Sequence, residues 1–180
     1  AMPHGFAAIW KKTSIWPCYN RFMCIAYLAL NAHPDWPLFI AANRDEFHAR
    51  PTQTAAPWDT HSHVIAGIDE VAGGTWLGAT RSGRFALLTN FRDLRLQGPE
   101  NPVSRGELVK NFLTSNQPAH TYAQTVATQG HLYQGFNLIV GEGAQATYIG
   151  NQTANPHKIQ LLLPGRYVLS NHLLDTDWPK

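Results

Sequence analysis

The sequence predicts an α+β fold built on antiparallel sheets, and two features of its pattern predict it. Apolar runs of strand length come in pairs joined by short turns, and the stretches with helical spacing lie together at 104–128, between two groups of strands. Strands, then helices, then strands, with hairpins in place of β-α-β alternation, belong to α+β architectures and not to doubly wound ones. At 180 residues the chain has the size of one domain. A chain of that size buries about 70% of the surface its unfolded form exposes.

The first strand runs from Cys24 to Asn31 and is apolar on both alternations. Ile25, Tyr27 and Ala29 form one face, and Cys24, Ala26, Leu28 and Leu30 the other, the pattern of a strand covered on both sides. His33-Pro34-Asp35-Trp36-Pro37 reads as a turn, and Leu38 to Ala42 as a second strand buried on both faces. A turn centred between Pro34 and Asp35 sets Cys24 opposite Asp45 and Ile25 opposite Arg44. The run Asn43-Arg44-Asp45-Glu46 then shares one end of the hairpin with Cys24.

Pro51 to Trp58, rich in Thr, Gln and Ala, reads as a connecting loop. Thr75 to Thr80 and Arg84 to Asn90, joined by Arg81-Ser82-Gly83, form a second hairpin that ends at Asn90. After a loop through Gly98 to Pro102, Ser104-Arg105-Gly106-Glu107 has the spacing of a capping box. Leu108, Val109, Phe112 and Leu113 follow at helical intervals, so a helix begins near Arg105. A second helix is expected from His120 to Thr128, stopped by Gly130. Four strands complete the chain: Phe136 to Gly141, Ala146 to Gly150 across a Glu142-Gly143 turn, Lys158 to Leu163, and Arg166 to Ser170, which delivers Asn171.

Composition narrows the function classes. The net charge is +2 and the charged fraction 14%, and the Lys and Arg residues are scattered, which argues against a nucleic-acid interface. No run reaches the roughly 20 consecutive apolar residues of an integral membrane segment. The aromatic opening residues are interrupted by Lys11 and Lys12 and lack the apolar core of a secretory signal. Cys18 and Cys24 are too few and too close for a disulfide framework, which makes a reduced, cytoplasmic compartment the default.

The hairpin carries the chemistry. A thiol nucleophile requires a base that makes thiolate and a group that holds the base. In a chain starting at Cys24, the α-amine lies beside the sulfur and titrates near 7.7–8.0, so a useful share is an uncharged base at neutral pH. Asp45 can accept hydrogen bonds from that amine, and Arg44 can favour the thiolate or hold a substrate oxygen. An oxyanion hole requires fixed donors. Asn90 and Asn171, each ending an otherwise apolar strand, are the candidates.

Several of these stretches carry a family resemblance. Met23-Cys24-Ile25, Asn43-Arg44-Asp45-Glu46, the GGTWLG run at 73–78, the LLTNFRD run at 87–93 and the LSNHLLDTDWPK ending resemble the NRDE family, also called the transport and Golgi organisation protein 2 family. The resemblance covers residues 23 to 180. That family is related to the N-terminal nucleophile hydrolases and looks most like the cysteine branch of bile salt hydrolases and penicillin V acylases. The resemblance implies a four-layer αββα sandwich. It also implies Cys24 as nucleophile, Arg44 and Asp45 as its partners, Asn90 as an oxyanion-hole residue and Asn171 as a second asparagine of the site. Residues 1–22 are read as an N-terminal extension: cloning-derived sequence, a misassigned start or a propeptide. The family pattern further implies a portion beyond residue 180 that carries another catalytic Arg.

The expected function is therefore hydrolysis of a linear carbon–nitrogen (amide) bond in a small-molecule amide or acyl compound. The alternative is a non-catalytic protein that handles haem or lipid on the same scaffold. For haem, His33, His120, His131 and His172 qualify as axial ligands by residue type and nothing in the sequence chooses among them. His61 and His63, near Asp59 and His48, lack a third ligand at convincing spacing, so no metal site and no resident cofactor are expected. The sequence carries no signal for oligomeric state.

Overall fold

The computed structural model describes residues 24–93, 95, 97–152 and 159–176. The elements are β1 (Ile25–Leu30), β2 (Leu38–Asn43), β3 (Thr52–Pro57), β4 (Val64–Asp69), β5 (Leu77–Thr80), β6 (Arg84–Asn90), α1 (Gly106–Thr114), α2 (Ala119–Gln129), β7 (Phe136–Glu142), β8 (Gln145–Gly150), β9 (Ile159–Leu162) and β10 (Gly165–Leu169). They form a three-stranded sheet in the order β10-β1-β2 and a seven-stranded meander from β3 to β9. Every strand pair is antiparallel. The α+β prediction holds. Residues 1–23 and 177–180 lie outside the described residues, as do the readings placed on them.

Two apolar layers flank the large sheet. On one side Leu108, Val109, Phe112 and Leu113 of α1 and Tyr122, Ala123 and Val126 of α2 pack on Ala86, Leu88, Leu138, Val140 and Ile149. On the other, Ala26, Leu28 and Leu30 of β1 meet Phe85, Leu87, Ile139 and Tyr148. Strands β6 and β7 are buried on both faces because they are sandwiched in this way. The described residues thus stack as helices, large sheet, small sheet.

Several expectations change. The second strand is not buried on both faces: β2 alternates, with Leu38, Ile40 and Ala42 inward and Phe39 49% exposed. It is an edge strand, and the outer face of the small sheet has no helix over it among the described residues. The hairpin register is one residue off the expected one. Leu30 pairs with Leu38 and Ile25 with Asn43, because the loop centres on Pro34 itself. Asn31, at φ +46, closes that loop by donating its N–H to the Pro37 carbonyl at 2.8 Å.

The stretch expected to be a loop at 51–58 is largely strand β3. All six of its residues are exposed, so it lacks the apolar signature of a strand. Main-chain pairing with β4 makes it one, with a register shift between Gln53 and Ala56. Strand β4 was not expected at all. The helix does begin at the expected place, with Arg105 at the N-cap, but no side chain caps it. The Ser104 carbonyl, not its hydroxyl, accepts from the Glu107 N–H at 3.1 Å.

Two polar devices lock the layers. Arg84, buried at the start of β6, donates to the carbonyls of Phe112 (3.1 Å) and Gln117 (2.8 Å), and its guanidinium lies 4.1 Å from the Phe112 ring centroid. A cation meeting the Phe112 carbonyl in the last turn of α1 also suits the helix dipole. Between the sheets, Tyr148 donates to Asn137 Oδ1 (2.7 Å). Asn137 Nδ2 donates to Thr89 Oγ1 (3.2 Å) and the His172 carbonyl (2.8 Å), and Thr89 donates to the Ser170 carbonyl (2.6 Å). This network joins the loop after β10 to β6, β7 and β8, and each buried member has a partner. Burial pushes the Tyr148 hydroxyl up to about 12.

Candidate functional site

Cys24 immediately precedes β1 and shares the parity of Ala26, Leu28 and Leu30, the residues that face the large sheet. Its side chain accordingly sits between the sheets at their open end, 8% exposed and unpaired with another cysteine. The Ser170 hydroxyl donates to the Cys24 carbonyl at 2.8 Å, so the network between the sheets extends to the main chain of Cys24.

A cleft of about 350 Å³ opens there. Its lining includes Cys24, Arg44, Asp45 and Asn90, four of the five residues singled out from the sequence. Arg44 continues the inward parity of Leu38, Ile40 and Ala42. Carrying the observed register one step beyond Ile25–Asn43 sets Arg44, not Asp45, across from Cys24. Asn90 ends β6 at the rim. Asn171 is buried and does not line the cleft; its Nδ2 donates to the Asn90 carbonyl at 2.8 Å, and its own carbonyl accepts from the Arg92 N–H at 2.8 Å. It supports Asn90 from behind.

Arg44 is not free to swing. It donates to Glu46 at 3.1 Å and to Asp69 at 3.2 Å, while Arg50 bonds the same Asp69 oxygen at 2.8 Å and approaches Glu46 at 3.8 Å. Burial alone would raise the Asp69 carboxyl. The Arg50 hydrogen bond and the N–H groups of Ala72 and Val71 outweigh that and hold it below its ordinary value. The other Asp69 oxygen caps the turn after β4 through those two N–H groups. Four charges, two of each sign, thus fix the wall of the cleft.

The sequence reading missed Arg50, Asp69 and Arg105 of this site. Asp69 sits on the unexpected strand β4. Its only signal was an Asp-Glu pair just ahead of Gly73-Gly74, where a carboxylate can cap a turn. Arg105 was read as a helix start, yet it lines the same cleft. Gly73, at φ +69, and Gly74 bring the cleft wall onto that helix, with Thr75 N–H donating to the Gly106 carbonyl at 3.3 Å. The imidazoles of His61 and His63 lie 6.0 Å apart between centroids. No group of three or more His, Cys, Asp and Glu among the described residues is arranged to hold a metal.

The comparisons with known proteins bear on the same residues. The family model described as Transport and Golgi organisation 2 matches residues 23–180, a span that includes every residue of the cleft. The chain belongs to the Transport and Golgi organisation 2 family. It is 41% identical over 172 residues to the Transport and Golgi organization 2 homolog of Mus musculus, covering 88% of this chain and 60% of that protein. With the Homo sapiens homolog the identity is 39% over 170 residues, again 88% and 60%. With the Drosophila melanogaster protein it is 31% over 136 residues, 68% of this chain and 48% of that one. The chain spans about 60% of the length of the mouse and human members. No described helix of this family member is long and apolar enough to cross a membrane.

Proposed function

We propose that this member of the Transport and Golgi organisation 2 family is an N-terminal nucleophile hydrolase acting on linear amide bonds, with Cys24 as the nucleophile. One observation carries the reading: Cys24 stands at the inward-facing start of β1 in a cleft that also gathers Arg44, Asp45 and Asn90. In the 180-residue chain the Cys24 nitrogen is bonded to Met23, and cleavage of that bond frees the α-amine. The amine takes the thiol proton as the sulfur attacks the amide carbonyl, and Asn90 with nearby N–H groups holds the oxyanion. The carbon–nitrogen bond then breaks, the amine passes its proton to the leaving nitrogen, and a thioester remains on Cys24. Water, deprotonated by the same amine, releases the acyl group and restores the thiol. Arg44 and Asp45 orient the amine and the sulfur. A reduced cytoplasmic compartment suits such a thiol.

The same reading includes the full αββα sandwich. A second helical layer would cover the outer face of the small sheet, where Trp36 is 61% and Val168 46% exposed.

The test compares a chain beginning at Cys24 with one that retains residues 1–23, each alongside its Cys24→Ala variant, on a panel of N-acyl amides. Turnover confined to the chain beginning at Cys24 and abolished by Cys24→Ala is expected. Equal turnover in the Cys24→Ala variant would sink the mechanism.

A second reading, a non-catalytic carrier of an acyl ligand, is favoured by one further feature. A groove of about 730 Å³ adjoins the cleft and is lined by Leu38, Ile40, Ile65, Ile68, Leu77 and Phe85. Saturable binding of a fatty acid that survives Cys24→Ala, with no turnover in any form, would select that reading.

A further inference from the structure

Three arginines line the cleft, and they differ in what they hold. Arg44 and Arg50 share the carboxylates of Glu46 and Asp69. Arg105 forms no ion pair among the described residues. Among the described residues its guanidinium makes one hydrogen bond, from Nη1 to the Gly135 carbonyl at 3.0 Å, and most of its five donors have no partner there. The guanidinium is partly buried at the cleft, within electrostatic reach of Cys24 and Arg92. Arg92 likewise forms no ion pair among the described residues.

Arg105 is also the N-cap of α1, a nine-residue helix. A cation at a helix N-terminus opposes the dipole, and that position ordinarily favours an acidic or small polar residue. A partly buried guanidinium beside a second arginine, at the wrong end of a helix, costs stability three times over. Burial indeed pulls the Arg105 guanidinium below its usual range. Glu46, the carboxylate whose field reaches it, is already bonded by Arg44. The arrangement is relieved by an anion entering the cleft.

We infer that Arg105 is the specificity residue of this site and holds an anionic group, a carboxylate, of the ligand whose reacting carbonyl meets Cys24. A planar guanidinium with paired free donors matches a carboxylate in a bidentate fork. The substrate class narrows to acyl compounds that carry a carboxylate within a side chain's length of the bond attacked. This deepens the proposed hydrolase function and rests on Cys24 being the residue at which ligands react.

The experiment uses alkylation, so that it does not depend on turnover. Iodoacetate and iodoacetamide both form a carbon–sulfur bond at a thiol and release iodide; they differ in one carboxylate. Rates at Cys24 are measured on the full chain by peptide mass spectrometry, which separates Cys24 from Cys18, with N-acetylcysteine as reference. The iodoacetate:iodoacetamide rate ratio at Cys24 is expected to exceed the reference ratio by about tenfold or more, as one charge-assisted hydrogen bond would give. Arg105→Gln should return the ratio to the reference. Arg105→Lys, which keeps the charge but not the fork, should keep only part of it, and Arg81→Gln, with the same loss of charge as Arg105→Gln on an exposed turn, should leave it unchanged.

A wild-type ratio equal to the reference overturns the inference, as does a ratio untouched by Arg105→Gln. So does failure of both reagents to reach Cys24 in the folded protein. If Arg105→Gln does not fold, the wild-type and Arg105→Lys ratios still decide. A hydrolase mechanism disproved by Cys24→Ala would leave these ratios intact, so the two failures are distinguishable.

Discussion

Asn171 donates its side-chain N–H to the main-chain carbonyl of Asn90 at 2.8 Å, so two asparagines 81 residues apart act as one unit. Asn90 lines the cleft; Asn171 lies behind it, its Oδ1 buried without a hydrogen-bond partner among the described residues. Replacing Asn90 by Ala should therefore alter ligand handling with little loss of stability. Asn171→Ala should cost about 1–2 kcal/mol, the value of a buried hydrogen bond. Asn171→Asp should cost more, since a buried carboxylate replaces the donor beside a carbonyl oxygen. Chemical denaturation of the three variants measures the order: Asn90→Ala least affected, Asn171→Asp most.

The Arg44–Asp69–Arg50–Glu46 cluster predicts a pH dependence. The Asp69 carboxyl is held below its ordinary value of 3.8, so the unfolded chain takes up a proton at higher pH than the folded one. The stabilisation from Asp69 is therefore fully present above pH 3.8 and is lost as the pH falls through the lower folded value. Asp69→Asn should flatten that acid limb and also lower stability at neutral pH, since Arg44 and Arg50 lose their shared partner. Denaturation midpoints taken from pH 7 down to pH 3 test both effects. An unchanged acid limb in Asp69→Asn would show that other carboxylates govern it.

Much of this cluster could not have been read from the sequence, for a physical reason. Where burial writes a pattern, the chain was legible: Cys24, Ala26, Leu28 and Leu30 fall on one alternation of an apolar strand, the face that meets the large sheet, and the spacing of Leu108, Val109, Phe112 and Leu113 located α1. Strand β3 is exposed along its length, so no apolar alternation marks it. Strand β4, which pairs with β3 on one side and β5 on the other, went unread along with β3, and Asp69 at its end went unplaced. The one-residue register error has a similar origin, because the Pro34 loop closes through the left-handed Asn31, a conformation that neighbouring apolar residues do not signal. Arg105 was hidden by a capping pattern whose serine does not cap with its side chain.

Arg84 offers a test of how the helices are held. It bonds two carbonyls around the end of α1, stacks near Phe112 and approaches Glu142 at 3.5 Å. Arg84→Ala removes all of these and takes the Arg84 donor from the Gln117 carbonyl, while the Phe112 carbonyl keeps the Ser115 hydroxyl at 3.1 Å. We expect a loss of about 3 kcal/mol, with Arg84→Lys recovering only part of it, because an ammonium cannot reproduce the planar fork. Urea denaturation of both variants gives the comparison. A loss in Arg84→Ala under about 0.5 kcal/mol, the usual surface value, would mean that packing alone holds α1.

The contact between Gly74 and Gly106 ties the helix to the cleft, and it makes the sharpest steric prediction. A Cβ at Gly74 would lie 2.6 Å from the Gly106 carbonyl carbon and 2.8 Å from its Cα. Both neighbours are main chain at the start of α1, so no flexible side chain can give way, and the helix N-terminus itself must move. Gly74→Ala should therefore destabilise by about 2 kcal/mol or more, in the range of overpacked cores. It should also shift Arg105 and Thr75, which stand beside the two glycines and line the cleft. Gly73→Ala is the matched control. Its Cβ meets nothing within 4 Å, and its cost arises from φ +69 alone, about 1 kcal/mol. Cys24 alkylation separates the two variants. Gly74→Ala should change the rate and the charge preference at the thiol, whereas Gly73→Ala should lower stability and leave that chemistry as it was. Equal alkylation behaviour in both would show that the start of α1 does not shape the site.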